Sequence, residues 1–230
     1  MTYNLTLIDN HPIFETSNGA KVLVDTGVPY TFHTSNQWNF EGRNYTTHVN
    51  MGNINVDTVA ELVGTNITTL LGADIMSKYK ISIDYHNLKI TFEPFDFEIN
   101  EGVNIPVQKY QGGYLLLPVS INGHDILGYL DTGAKLSYLA SQLTNGLVPN
   151  VNRVEDFYIG IGAYETNTFN ANATLSNGFR YAGKFGGELP FQLANAFFGS
   201  QRQAIIGSDF FYACKKVWLD YANSCIYIVA

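Results

Sequence analysis

Short apolar runs separated by turn-forming residues make up most of the chain. Many of these runs alternate apolar and polar side chains, and Asn-Gly, Gly-Gly or Pro commonly lies between them. A period of two places successive side chains on opposite faces of a strand, and frequent turns between such strands are typical of barrels and sandwiches. The pattern therefore predicts an all-β fold.

Helix signals are few and short. Residues 141–146 predict one turn of helix that ends at a glycine. Residues 74–79 and 209–213 predict two more short helices, with Asp74 and Asp209 as their N-caps, because a side-chain oxygen at that position accepts a hydrogen bond from a free helix N–H.

The chain also repeats a set of motifs. Asp-Thr-Gly occurs as Asp25-Thr26-Gly27 and again as Asp131-Thr132-Gly133, each after an apolar run. An Asn-Gly turn signal precedes each copy. Further along the chain, each copy is followed by a second motif of two apolar residues, Gly, any residue and Asp, which lies at residues 70–74 in the first half and 205–209 in the second. An Asp-Tyr pair and a strand-like run then close both halves. Self-similarity of this extent predicts two copies of one structural unit.

This order of motifs resembles the pepsin and retropepsin clan of aspartic proteases, and the resemblance covers nearly the whole chain. It implies a bilobal acid-protease fold of two pseudo-symmetric β-barrel lobes, like two retropepsin subunits fused in one polypeptide. The first lobe is expected at residues 1–97 and the second at 105–230. The acidic stretch 93–106, which contains two prolines, predicts the connection between the lobes.

The resemblance implies that Asp25 and Asp131 form a catalytic dyad that hydrolyses extended peptides. Two carboxyl groups about 3 Å apart cannot both ionise, so one remains a base and the other an acid. The base can deprotonate a bound water while the acid protonates the scissile carbonyl. No cofactor or metal is needed for this reaction.

The flanking residues are expected to support the dyad. The resemblance implies that the hydroxyl groups of Thr26 and Thr132 bond to the backbone of the opposite half. Gly27 and Gly133 let the backbone turn tightly and approach the substrate. Gly72 and Gly207 are expected where another backbone segment crosses close to each aspartate loop.

Val28 and Ala134 follow the two triplets, so neither position supplies a hydroxyl group to the ionised dyad. Hydrogen bonds to a carboxylate lower its pKa, and their absence raises the pKa of the dyad. The sequence therefore predicts a weakly acidic optimum.

The interval between Asp-Thr-Gly and Gly-x-Asp is longer in the second half. Aligning residues 47–63 with 168–189 as equivalent hairpins leaves 155–166 as an additional hairpin whose turn contains Gly160 and Gly162. The resemblance implies that this hairpin is the flap over the substrate, with Ile161, Gly162 and Tyr164 as substrate-binding residues. An ordinary surface hairpin is the alternative.

Composition excludes several other functions. The net charge is −7 and basic runs are lacking, which argues against nucleic acid, because phosphates require Lys and Arg patches. The five histidines lack zinc-site spacing, and no apolar run approaches the roughly 18 residues of a membrane span. The expected partners are a peptide or protein substrate and pepstatin-like inhibitors, and the expected active unit is a monomer.

Location and cysteine chemistry are less constrained. Residues 1–20 lack the order of a signal peptide, so the chain is either cytosolic or begins at a mature segment. Four Asn-x-Ser/Thr sequons favour a secreted or extracytoplasmic protein, although an Asn- and Thr-rich chain also produces them by chance. Cys214 and Cys225 are expected either to form a disulfide or to remain two buried thiols.

Two other functions remain open at the level of sequence. The same scaffold could serve as a binding module without catalysis, because fold does not determine function. A glycosidase could use two carboxyl groups, but it would need them at least about 5 Å apart and has no need of matched triplets.

Overall fold

A computed structural model of the chain describes residues 1–52, 54–159 and 161–229. Strands predominate over a few short helices, so the prediction of an all-β fold is confirmed as a mostly β fold. The elements of the first half are β1 Thr2–Ile8, β2 His11–Glu15, β3 Lys21–Val24, β4 Phe32–His33, β5 Gln37–Phe40, β6 Arg43–Thr46, β7 Asn50–Met51, β8 Ile54–Asn55, α1 Val56–Val63, β9 Thr69–Leu71, α2 Ala73–Met76, β10 Lys80–Asp84 and β11 Lys89–Glu93.

The second half repeats strands and short helices in a similar order. Its elements are β12 Val103–Pro106, β13 Gln108–Lys109, a 3-10 turn Gln111–Gly113, β14 Leu115–Ile121, β15 His124–Leu130, β16 Ser137–Leu139, α3 Ser141–Thr144, β17 Val154–Tyr158, β18 Gly162–Thr166, β19 Thr168–Leu175, β20 Arg180–Gly186, α4 Phe191–Phe197, β21 Arg202–Ile206, α5 Ser208–Ala213, β22 Lys216–Asp220 and β23 Cys225–Val229.

A closed barrel forms from the second half. Its strands are ordered β13-β14-β15-β21-β16-β20-β19, and β14 also pairs with β19, which closes a ring of six strands. Closure removes the unpaired edges that an open sheet would expose. Apolar side chains such as Leu117, Phe185 and Ile206 fill the interior and are almost fully buried.

A ten-stranded sheet joins the two halves of the chain. Its order is β12-β23-β22-β10-β11-β1-β2-β3-β9-β4, and β10 pairs with β22 antiparallel over five residue pairs. Lys80 of β10 and Asp220 of β22 lie opposite each other and form an ion pair at 3.2 Å. One hydrophobic core extends beneath strands of both halves.

The predicted equivalence of residues 47–63 with a hairpin is wrong. The segment contains the small ladder β7–β8 and then the eight-residue helix α1. Asn55 caps the helix by accepting a hydrogen bond from Thr58 N, and Gly64 ends it at φ 74°. Residues 168–189 do contain the expected hairpin, β19–β20.

The predicted connection at 93–106 is also partly wrong. Glu93 ends β11, and Val103–Pro106 forms β12, an edge strand that pairs with β23. Proline is compatible with an edge strand, because its missing N–H is not needed on the open side. Residues 94–102 connect these two strands.

Local predictions elsewhere have mixed outcomes. Asn122-Gly123 forms the β14–β15 turn, with positive φ at both residues, as expected for Asn-Gly. Cys214 and Cys225 are both buried and free, so they are two thiols and no disulfide. Helices α2 and α5 lie where two helices were predicted, but the proposed caps are wrong, because Gly72 and Gly207 occupy the N-cap positions.

Candidate active site

The two Asp-Thr-Gly triplets occupy equivalent places in the fold. Each begins where a buried strand ends, β3 for Asp25 and β15 for Asp131. In both halves that strand runs parallel to the strand before the Gly-x-Asp motif. Asp25 N donates to Leu71 O at 3.1 Å, and Asp131 N donates to Ile206 O at 2.9 Å. These matched bonds fix each triplet at the same position within its own half.

Reciprocal hydrogen bonds connect the two triplets. Thr26 Oγ1 donates to Leu130 O at 2.7 Å and accepts from Thr132 N at 2.9 Å. Thr132 Oγ1 donates to Val24 O at 2.8 Å and accepts from Thr26 N at 3.0 Å. Both threonine side chains are fully buried, so the four bonds are shielded from water and hold the aspartate loops in register.

Each glycine of a triplet lies against the aspartate of the other. A methyl group at Gly27 would overlap the carboxyl group of Asp131, and one at Gly133 would overlap that of Asp25. Gly27 N donates to Asp25 Oδ1 at 2.8 Å, and Gly133 N donates to Asp131 Oδ1 at 2.9 Å. Only glycine leaves room for this approach, so the triplet sequence follows from the packing of the two loops.

The environment favours protonation of the pair. Burial and the neighbouring negative charge of Asp131 raise the pKa of Asp25 well above its ordinary value. Burial likewise raises the pKa of Asp131, against the opposing effect of its hydrogen bonds. Burial and the proximity of two negative charges therefore favour a protonated pair over a doubly ionised one.

Gly72 and Gly207 lie where a second segment crosses each aspartate loop. A Cβ at Gly72 would lie 2.6 Å from the Tyr30 carbonyl, and one at Gly207 would lie 2.6 Å from the Leu136 carbonyl oxygen. Any larger residue would push the crossing segment away. The close approach expected at these two glycines from the family resemblance is therefore present.

Asp74 and Asp209 secure the crossing segments. Gly72 N donates to Thr31 Oγ1, which donates to Asp74 Oδ1 at 2.6 Å. In the second half Gly207 N donates to Ser137 Oγ at 2.8 Å, and Ser137 Oγ donates to Asp209. Both carboxyl groups therefore accept a hydrogen bond from a hydroxyl group that lies far away in sequence. Sequence reasoning missed this role, because Thr31 and Ser137 stand in unremarkable surroundings.

A cavity of about 190 Å³ lies over the two aspartates. Apolar residues of the first half form one wall: Leu23, Val28, Phe32, Val59 and Val63. Aromatic and aliphatic residues of the second half form the opposite wall: Tyr114, Tyr138, Tyr158, Leu193 and Phe197. Sequence reasoning missed Tyr114 and helix α1. The helix had a readable signal in Val56, Val59 and Val63 between Asn55 and Gly64.

The predicted hairpin at 155–166 is present as the ladder β17–β18. Phe157 and Ile159 pack on an apolar cluster of the first half, so the hairpin crosses the cavity from one half to the other. Tyr164 lines the cavity, Gly162 begins β18 at φ 96°, and Ile161 is 42% exposed at the turn. Gly160, the other predicted turn glycine, lies outside the described residues.

Within the described residues, no helix is long and apolar enough to cross a membrane. The same part of the chain contains no group of three or more His, Cys, Asp or Glu side chains arranged to hold a metal ion.

Comparison with known proteins finds similarity at the level of structure. One similar solved structure is a retropepsin-like aspartic protease from Rickettsia conorii, 13% identical, with a TM-score of 0.39 over 56% of this chain and 91% of that protein. Another is the EIAV protease in complex with the inhibitor HBY-793, which is 17% identical and gives a TM-score of 0.31 over 50% of this chain and 90% of that protein. No family model and no curated protein matches the sequence.

Proposed function

We propose that the chain is an aspartic endopeptidase of the retropepsin-like type. The observation that carries the proposal is the reciprocal packing of Gly27 on Asp131 and Gly133 on Asp25, which presents two carboxyl groups side by side. The matched main-chain hydrogen bonds of Asp25 and Asp131, one in each half, favour two pseudo-symmetric lobes, residues 1–97 and 105–230. Asp25 and Asp131 are the proposed catalytic residues, with Thr26 and Thr132 as their support.

The proposed reaction needs one proton on the pair. The ionised carboxyl group removes a proton from a water molecule, and the neutral one donates its proton to the scissile carbonyl oxygen. The gem-diol then collapses: one of its hydroxyl groups gives a proton to the ionised carboxylate, the neutral carboxyl group protonates the leaving nitrogen, the C–N bond breaks, and the dyad again holds one proton. The raised pKa values of both carboxyl groups support this scheme, because they keep a shared proton available in weakly acidic solution.

The proposed substrate is an extended peptide that lies between the hairpin β17–β18 and the dyad. An extended peptide gains main-chain hydrogen bonds as an added strand, and alternate side chains enter pockets on either side. The apolar walls of the cavity favour apolar side chains next to the cleaved bond. Pepstatin-like inhibitors, which mimic an extended peptide with a central hydroxyl group, are the expected ligands.

Fluorogenic peptide cleavage across pH, with and without pepstatin, tests the proposal. Hydrolysis that pepstatin abolishes supports the peptidase. Tight peptide binding without cleavage would instead indicate a binding module on the same scaffold, and release of sugar from a glycoside would indicate a glycosidase.

The pH profile of kcat/KM is expected to be bell-shaped with a maximum at about pH 4 to 6, because one carboxyl group must be charged and the other neutral. Serine at positions 28 and 134 should move the acidic limb to lower pH by donating hydrogen bonds to the ionised form. Val28 and Ala134 both pack on apolar clusters, and Ala134→Ser is the cleaner single variant because it changes the side-chain volume less than Val28→Ser does. A folded double-serine variant with an unmoved acidic limb would contradict this explanation.

The monomer is expected to be the active unit. Each half supplies one aspartate, and the pairing of β10 with β22 already joins the halves within one chain. Specific activity should therefore remain constant on dilution, and sedimentation should give a mass near 25.6 kDa. Activity per mole that falls steeply on dilution, together with a sedimenting dimer, would overturn this expectation.

A further inference from the structure

A third carboxyl group, that of Asp156, lies in the same cavity as the dyad. Asp156 belongs to β17 of the hairpin and is only 6% exposed. Its Oδ2 accepts a hydrogen bond from Tyr138 Oη at 2.5 Å, and its Oδ1 accepts one from Phe157 N at 2.8 Å. Tyr164 Oη donates in turn to Tyr138 Oη at 3.1 Å. The side chain thereby fastens the hairpin to β16 of the barrel.

The hairpin is otherwise loosely tied through its backbone. β17 and β18 form a two-stranded sheet of their own, separate from the barrel and the ten-stranded sheet. Rotation of the hairpin away from the dyad therefore breaks no ladder hydrogen bond of the larger sheets. Side-chain contacts decide whether it is closed, and the buried Tyr138–Asp156 bond is one of them.

The charged and titratable groups around Asp156 do not neutralise it. Those that face it from the surrounding elements are His11 of β2, Asp131 and Lys135 around the second triplet, Tyr138 of β16 and Tyr164 of β18. Lys135 Nζ lies 2.7 Å from Asp9 Oδ2 and donates to Glu155 O, so its charge is already paired. His11 stacks on Phe157, and burial lowers the pKa of His11.

The closed hairpin favours a neutral Asp156. A protonated carboxyl group still accepts both hydrogen bonds, whereas an ionised one is a buried charge whose direct partners are neutral. Burial accordingly raises the pKa of Asp156 in the closed form. Once the hairpin opens, water solvates the group and its pKa returns to about 4.

We propose that Asp156 is a positioning residue that acts as a proton-dependent latch: its protonated carboxyl group holds the hairpin over Asp25 and Asp131, and ionisation releases it. Linkage between proton binding and closure gives the direction of the pH dependence. A pKa raised by closure means that the closed form binds the proton more tightly. The contribution of Asp156 to closure is therefore complete below about pH 4 and is lost as pH rises through the raised pKa. The dyad also requires a proton, so closure and catalysis share one pH range.

Hydrogen exchange of the hairpin amides in wild type and Asp156→Asn tests the latch. Asparagine keeps an acceptor for Tyr138 but cannot ionise. The ratio of protection factors, variant to wild type, is expected to rise at least about five-fold between pH 4 and 7, since one pKa unit corresponds to tenfold. Both proteins contain His11, so any effect of His11 on protection cancels in the ratio. The ratio therefore reports on Asp156. A ratio independent of pH would overturn the latch.

Two further variants make the test specific. Glu155→Gln changes the neighbouring, exposed carboxyl group. The ratio of protection factors between this variant and wild type should therefore not change with pH. Tyr138→Phe removes the hydroxyl donor that favours the ionised form of Asp156. The loss of hairpin amide protection between pH 4 and 7 should therefore be larger in this variant than in wild type. This second variant decides the matter if Asp156→Asn does not fold, and a smaller loss of protection would count against the latch.

The significance of the latch for turnover rests on the proposed function, but its test does not. If the chain hydrolyses peptides, the KM of wild type should rise with pH more than that of Asp156→Asn. A flat exchange ratio in an active peptidase refutes the latch alone. A pH-dependent ratio without any peptide hydrolysis refutes the peptidase alone.

Discussion

Asp25→Asn and Asp131→Asn are each expected to lower kcat by at least about 10⁴-fold, and the double variant should be hardly worse than either single one. Residues that act as one unit show this lack of additivity. The amide can neither remove a proton from water nor share one with its neighbour. Steady-state and single-turnover assays on a fluorogenic peptide, at several pH values, measure the effect.

Thermal unfolding controls for loss of structure in these variants. Burial raises the pKa of both aspartates, so the folded state is favoured while they hold protons and loses stability as pH rises through the raised values. Asparagine removes this cost, and the Tm of each variant at pH 7 should equal or exceed that of wild type. A single variant with a near wild-type rate would show that the pair is not the catalytic centre.

Replacing Ile161 and Tyr164 by serine is expected to lower kcat/KM by about 100-fold or more, because loss of positioning by about 1 Å has effects of this size. Tyr164 lines the cavity and bonds to Tyr138, whereas Ile161 lies at the exposed turn. In the proposed reaction, a closed hairpin would exclude water and orient the scissile bond. Stability should fall by about 1 kcal/mol for the lost tyrosine hydrogen bond and further for the apolar contacts of its half-buried ring, so the assay is run well below the Tm of the variant.

The matched control is the hairpin β5–β6 of the first half. Phe40 is unsuitable, because it is 1% exposed and packs against Trp38, Tyr79 and Phe92, so its replacement would test stability. Arg43 and Asn44 are exposed, and serine at both positions should leave kcat/KM within about twofold, as for ordinary surface substitutions. If the β17–β18 variant cleaves peptides normally and the β5–β6 variant does not, the flap lies in the first half of the chain.

Local chemistry explains which features the sequence alone could predict. The Asn122-Gly123 turn follows from the ability of both residues to adopt positive φ, and the strands follow from a period-two pattern that needs no distant partner. The hairpin β17–β18 was located by the extra length of the second half. Helix α1 was equally readable from its capping residues, but alignment of the two halves as exact copies overrode that local signal.

The sequence by itself determined the mostly β fold, the repeated triplets and the hairpin of the second half, since periodicity, repetition and segment length can all be read along the chain. Only the tertiary structure decided what those parts contact. The roles of Asp74 and Asp209 depend on hydroxyl groups 43 and 72 residues away, and the position of Tyr114 in the cavity depends on the packing of both halves. The burial of Asp156 is likewise a product of β16 and β17 meeting in space. Side-chain burial and long-range hydrogen bonds set the charge states of a site, and neither is encoded in local pattern.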